Sequence, residues 1–64
     1  MALRDANKAI KLDPKDAHAL DTRGHIYEQL GRKADAIADF RKALALDSSQ
    51  KESRAGLRRL GARP

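Results

Sequence analysis

Two histidines and one aspartate have side chains suited to chemistry and lie close together in the sequence: His18, Asp21 and His25. Imidazole and carboxylate groups both bind zinc, and both transfer protons in enzymes. The two histidines are seven residues apart, about 10.5 Å along a helix at 1.5 Å per residue, which is too far for one ion. Asp21 and His25 could hold an ion only with ligands from elsewhere. We therefore predict a polar helix face at these residues and no metal site.

The same residues are poorly placed for catalysis. A general acid or base acts in a concave, desolvated pocket, whereas we expect His25 and its nearest carboxylates, Asp21 and Glu28, on an exposed helix face. The sequence has no glycine-rich phosphate loop, no nucleophile elbow and no cysteine. We predict that the chain is not an enzyme and uses no cofactor.

Composition favours an all-α protein that does not enter membranes. Of the 64 residues, 36% are charged and only 3% are aromatic, and β-branched residues are few, which favours helix over sheet. No apolar run reaches the length of about 18 residues that spans a bilayer, and Asp5 follows the first residue too closely for a secretory signal. We expect a cytoplasmic protein without a membrane partner.

Hydrophobic periodicity divides the chain into helices that must position these polar residues. Gly31 fits the left-handed position that ends a helix. We expect Asp13 to cap the second helix ahead of Pro14, and Ser49 to open the last helix as part of a capping box. The periodicity predicts four helices, at about residues 2–12, 15–30, 33–46 and 50–60.

An internal repeat relates the first and third helices. Residues 2–16 align with residues 36–50 at a shift of 34, with six identities in fifteen positions. Two further pairs, Leu3/Ile37 and Ile10/Leu44, keep their apolar character. A regular period of this length is the signature of stacked helical repeats. The identical pairs are Ala2/Ala36, Asp5/Asp39, Lys8/Lys42, Ala9/Ala43, Leu12/Leu46 and Asp13/Asp47.

The pattern between and within the copies resembles the tetratricopeptide repeat. Most of the family pattern is reproduced along the positions Leu20, Arg23, Gly24, Tyr27, Ala36, Phe40, Ala43 and Asp47. The resemblance implies a single domain, an α-α superhelix fragment built from antiparallel helix pairs. In this fragment residues 1–14 are the second helix of a preceding repeat, residues 15–48 a complete repeat, and residues 49–64 a capping helix with a short tail.

Four positions depart from the family pattern. Leu20 replaces the usual Trp, Arg23 replaces the common Leu, Lys33 replaces an aromatic residue, and Ser48 replaces the usual Pro. None of these changes is incompatible with the helices. They reduce the aromatic packing that the resemblance would otherwise imply.

The resemblance implies a protein-protein interaction module without enzymatic activity. In such solenoids the first helix of each pair makes most of the concave wall that binds a protein or peptide partner. Family members that grip a terminal carboxylate use Lys and Asn on this wall, whereas Asp21 and His25 stand at the matching places here, which disfavours that mode. The predicted partner-binding residues are His18, Asp21, Thr22, His25, Glu28 and Gln29, with Glu52 and Arg59 from the last helix.

The first helix also predicts self-association. Its apolar face carries Leu3, Ala6 and Ile10. Stable stacks of this kind usually need about three repeats, and this helix has no partner helix of its own in the sequence. We therefore expect a second copy to cover this face in a homodimer, unless a longer repeat array does so.

Excess positive charge at the end of the chain gives an alternative function. The net charge is +5, and residues 51–64 carry five Lys or Arg against the single Glu52, whereas residues 1–50 are nearly balanced. The alternative is electrostatic nucleic-acid binding through the last helix. Interleaved aromatic residues are missing, however, and a polar outer face is also what a terminal repeat needs to stop stacking. We favour a protein partner over a nucleic-acid partner.

Overall fold

A computed structural model describes residues 2–63 as four α-helices. They are α1 (Leu3–Leu12), α2 (Ala17–Gln29), α3 (Lys33–Leu46) and α4 (Lys51–Arg59). The number and order of the helices match the prediction, and their ends differ from it by at most two residues. No strand occurs in the described part of the chain. The predicted all-α fold is therefore confirmed; the outermost residues of the predicted domain, Met1 and Pro64, lie outside the described part.

The turns that lead into α2 and α4 are built alike, 34 residues apart. In the first, Asp13 Oδ1 accepts a hydrogen bond from the Lys15 backbone N–H at 3.2 Å. In the second, Asp47 Oδ1 accepts one from the Ser49 N–H at 3.0 Å. Such side chain to backbone bonds two residues apart form a compact turn without help from the helix. The repeat in the sequence is therefore matched by a repeat in the hydrogen bonds of these two turns.

Both predicted helix caps are wrong. Asp16, not Asp13, caps α2, and its carboxylate accepts from the Ala19 N–H at 3.2 Å. Ser49 forms no capping box, because its hydroxyl donates to Asp47 Oδ1 at 2.6 Å inside the turn. That hydroxyl and the Ser49 N–H together lower the pKa of Asp47. The aspartates that end α1 and α3 thus stabilise the turns, and of the helices that follow, α2 has a side-chain cap whereas α4 has none.

α2 and α4 also end in the same way. Gly31 and Gly61 have φ values of 77° and 74°, which glycine adopts without a steric penalty. The Arg32 N–H reaches back to the carbonyl of Tyr27 at 2.8 Å, as the N–H of Ala62 does to that of Leu57. This is the hydrogen bonding of a Schellman motif. α4 is therefore a shorter counterpart of α2, with 9 residues in place of 13.

The core consists of two clusters on either side of α2. Ala17, Leu20 and Ala43 form the first, and Ile10 of α1 packs against it. The second contains Ala36, Phe40 and Leu57, with five partly buried apolar side chains around it. Phe40 is fully buried and is the largest side chain in the interior. Small residues on α2 and α3 let these helices approach closely, in accordance with the alanine-rich sequence.

Two glycines lie against opposite edges of the Phe40 ring. A Cβ atom on Gly24 of α2 would lie 2.6 Å from Phe40 Cε1, and one on Gly56 of α4 would lie 2.5 Å from Phe40 Cε2. Neither distance is possible without movement of a fully buried ring. The two glycines therefore fix how closely α2 and α4 approach α3.

We expect Gly24→Ala and Gly56→Ala each to lower the free energy of unfolding by about 1–3 kcal/mol through overpacking. Alanine in an open helix position would instead raise this free energy by about 0.5–1 kcal/mol. Urea unfolding measures the change, and the same substitutions in a Phe40→Leu background provide the control. If Gly56→Ala cost the same in both backgrounds, the ring would not be the cause.

Candidate functional site

The predicted wall lies along α2, and its residues differ in exposure. His18 and Gln29 are exposed, and Thr22, His25 and Glu28 are partly buried. Asp21 is only 6% exposed. The expectation of a fully exposed polar face is therefore wrong at Asp21. The reason is α4, which packs beside α2 and covers the edge of the polar stripe that carries this carboxylate.

Asp21 joins α2 to α4 by a buried hydrogen bond. The Ser53 hydroxyl donates to Asp21 Oδ1 at 2.7 Å, and His25 Nε2 lies 3.3 Å from the same oxygen. Ser53 is itself fully buried on the inner face of α4. A buried carboxylate is stable only where donors compensate its lost hydration. Asp21 is therefore suited to hold its neighbours in place and has little surface for a partner.

Glu28 and Arg59 make a second connection between the same helices. Arg59 Nη2 donates to Glu28 Oε1 at 2.6 Å, and Arg59 Nε donates to Oε2 at 2.9 Å. This two-pronged geometry matches guanidinium to carboxylate. The hydrogen bond from Arg59 lowers the pKa of Glu28, and the same bond raises the pKa of Arg59. The C-terminal ends of α2 and α4 are thereby held side by side.

His25 lies between these two connections and touches the core. Its Nδ1 atom is 3.7 Å from Glu28 Oε1. Its ring meets that of Phe40 edge to face, with centroids 5.0 Å apart and planes at 66°. Edge-to-face packing of this kind adds stability beyond the area that it buries. His25 therefore links the polar wall to the central aromatic residue, and only part of its surface is open to a partner.

The two wall residues predicted on α4 are both exposed. Glu52 lies in the first turn of α4, and Arg59 in the last turn, next to Glu28. Because the Ser53–Asp21 and Arg59–Glu28 connections join the two helices, α2 and α4 form one polar surface. The structure thus brings the predicted wall residues together, with Asp21 beneath the surface.

A partly buried ion pair on the other side of α2 was not predicted. Arg23 donates to both carboxylate oxygens of Asp39, at 2.7 and 2.8 Å, and to Asn7 Oδ1 of α1 at 3.1 Å. Asp39 is buried, and its hydrogen bond raises the pKa of Arg23. The sequence signal was available, because Arg23 stands where the family pattern has an apolar residue and therefore needs an anion.

The predicted self-association face is largely used within the chain. Ala6 is fully buried, and Ile10 packs against the first core cluster. The expectation that these two residues are uncovered is therefore wrong, since α2 covers them. Leu3 keeps partial exposure. Leu30, which follows the last residue of α2 at the turn, is 58% exposed.

Residues 2–63 contain no group of three or more His, Cys, Asp or Glu side chains close enough to hold a metal ion. None of their four helices is long and apolar enough to cross a bilayer.

Comparison with known proteins identifies the family. The sequence profile of the tetratricopeptide repeat matches residues 17–49, which is just over half of the chain. The chain belongs to the tetratricopeptide repeat family. The match starts at the first residue of α2 and ends in the turn before α4. Repeats of this family are a non-catalytic scaffold that generally mediates protein-protein interaction.

Two relatives contain similar repeats. Cellulose synthase operon protein C of Escherichia coli K12 is 44% identical over 46 residues, which are 72% of this chain and 4% of that protein. Heat shock protein STI1 of Saccharomyces cerevisiae is 36% identical over 56 residues, which are 88% of this chain and 10% of that protein. The chain thus spans a tenth or less of either relative. No solved structure matches significantly.

Proposed function

We propose that this tetratricopeptide repeat is a binding module for a protein or peptide, and that the joint surface of α2 and α4 receives the partner. The contacts come from the exposed side chains of that surface. Asp21 acts beneath it as a positioning residue. The module carries out no reaction and needs no cofactor. The residues assigned to partner contact are His18, Thr22, His25, Glu28 and Gln29 of α2, with Glu52 and Arg59 of α4.

The observation that supports this proposal most directly is the pair of connections between α2 and α4. The Ser53 hydroxyl bond to Asp21 joins residues that are 32 apart in sequence, and the Arg59 bonds to Glu28 join residues that are 31 apart. They hold the two helices in one register before any partner arrives. A surface that is already ordered loses less conformational entropy on binding, which favours affinity.

A partner on this surface should be blocked by a bulky side chain at its centre. We expect Thr22→Arg to weaken the binding of peptides selected from a random display library by at least about tenfold. The matched control is Ala38→Arg, which adds the same side chain at an exposed position of α3 and should change affinity less than about twofold. Fluorescence anisotropy measures both.

Thr22 is partly buried, and a large side chain there can disturb the fold as well as block a partner. The experiment therefore includes a second variant. His18→Ala with Gln29→Ala removes two exposed side chains and should leave the helix content unchanged by circular dichroism. Selected peptides that bind Thr22→Arg and the double variant as tightly as the parent, but lose affinity for Ala38→Arg, would contradict the proposed surface.

The proposal includes weak self-association through α1. Among the described residues the helix contacts of α1 are with α2, and Leu3 keeps partial exposure. We expect the average mass in sedimentation equilibrium to rise above 7.1 kDa at millimolar concentration, and Leu3→Gln to reduce this rise. Leu12→Gln, on the opposite side of the helix, is the control. A mass that stays at the monomer value from micromolar to millimolar concentration would contradict self-association.

A further inference from the structure

We propose that the outward side of α4, away from the surface shared with α2, docks an acidic polypeptide segment. We call this side the basic end face and define it by Lys51, Arg54 and Arg58. At 100° per residue these three side chains lie within an arc of about 60°. They extend over about 10.5 Å of the helix axis at 1.5 Å per residue. All three are exposed.

The positive charge of the basic end face is not neutralised within the described residues. The basic partners of the ion pairs in these residues are Arg23, His25, Arg32 and Arg59. None of the ion pairs involves a cation of the basic end face. Arg54 donates one bond to the carbonyl of Ser48 at 3.1 Å, which orients the guanidinium but leaves its charge. A cluster of unpaired cations attracts a partner of opposite charge.

The carboxylates nearest in sequence form no ion pair with these cations in residues 2–63. Asp47 accepts bonds from the backbone and hydroxyl of Ser49 and from the Gln50 amide, and these bonds hold it in the turn. Glu52 lies about 100° around α4 from Lys51 and faces the surface shared with α2. The basic end face therefore presents three cations with no acidic residue between them.

The aromatic residues favour a polypeptide partner over a nucleic acid. Proteins that bind single strands stack bases on exposed aromatic rings. The sequence has one Phe and one Tyr and no Trp. Phe40 is fully buried, and Tyr27 packs against the guanidinium groups of Arg23 and Arg32, at 5.5 and 4.8 Å. Without a stacking surface these residues can form charge pairs but cannot stack bases, which favours the carboxylates of a polypeptide over a single-stranded nucleic acid.

The spacing of the cations specifies the segment. Carboxylates at positions i, i+3 and i+7 of a helix have the same axial spacing as Lys51, Arg54 and Arg58. The probe is therefore a labelled helical peptide with Glu at those positions, compared with the same peptide carrying Gln. This inference rests on the proposed function only in taking the partner to be a polypeptide, because it concerns a different surface.

The test compares two triple variants with the same change in charge. Lys51→Gln, Arg54→Gln and Arg58→Gln together should weaken binding of the Glu peptide by about tenfold or more, as expected for the loss of three exposed ion pairs. Arg4→Gln, Lys8→Gln and Lys11→Gln together remove three exposed charges from α1 and should change the affinity less than about twofold. Circular dichroism verifies that both variants fold.

Three results would overturn the inference. They are no difference between the Glu and Gln peptides, equal weakening by the two triple variants, and tighter binding of single-stranded RNA or duplex DNA than of the Glu peptide at two ionic strengths. Thr22→Arg should leave Glu-peptide binding unchanged. A result that contradicts docking at the basic end face can therefore be distinguished from one that contradicts binding at the surface formed by α2 and α4.

Discussion

Phe40→Ala should unfold most of the chain at 25 °C. The ring is fully buried, and it contacts helices on both sides of α3. Truncation of a buried Phe costs about 3–5 kcal/mol. A single core in a chain of this size rarely supplies more than about 3–5 kcal/mol in total. We therefore expect the far-ultraviolet circular dichroism of Phe40→Ala to lose most of its helical signal.

A matched control for this prediction lies in the same helix. Leu46 is 41% exposed near the end of α3, and Leu46→Ala should change the free energy of unfolding by only about 0.5 kcal/mol. Both variants can be compared in urea titrations with the parent chain. A Phe40→Ala variant with the helix content and unfolding midpoint of the parent would contradict the central position given to this ring.

Arg23→Leu should destabilise the fold although it restores the residue common in the family. It leaves the buried Asp39 carboxylate without its two-pronged partner. Loss of one member of a buried ion pair costs about 3–5 kcal/mol. Because the Arg23 side chain is 23% exposed, we expect a smaller cost, about 2–3 kcal/mol. Urea unfolding at neutral pH measures it.

Two further variants make this test specific. Arg23→Leu combined with Asp39→Asn removes the buried charge and should recover part of the stability. Arg32→Leu breaks the pair between Arg32 and Asp35, whose side chains are 54% and 47% exposed, and should cost about 1 kcal/mol or less. Equal costs for Arg23→Leu and Arg32→Leu would show that burial of Asp39 does not determine the effect.

The local signals in the sequence predicted the helices well and the turns poorly. The repeat of 34 residues and Gly31 placed the four helices to within two residues. The caps were wrong because aspartate and serine side chains can form bonds either at a helix start or within a preceding turn. Asp13 and Ser49 both form bonds within the turns, and Asp16 caps α2 in place of Asp13.

Features that depend on contact between distant helices could not be predicted from periodicity. The polar stripe that carries His18 and Gln29 can be predicted from the periodicity of α2 alone. Burial of Asp21 depends on where α4 lies, and α4 is held by Ser53 and Arg59. Ala6 and Ile10 were expected at the surface for the same reason, since the side of α1 that α2 covers cannot be read from α1 alone.

Amide chemical-shift mapping tests most directly whether the surface formed by α2 and α4 binds the partner. The ¹⁵N-labelled chain is titrated with a peptide selected against it, and shifts are followed for each residue. We expect the largest changes in residues 17–29 and 51–59. Changes confined to the outer side of α3, at Ala38, Arg41 and Ala45, would contradict the proposed binding surface.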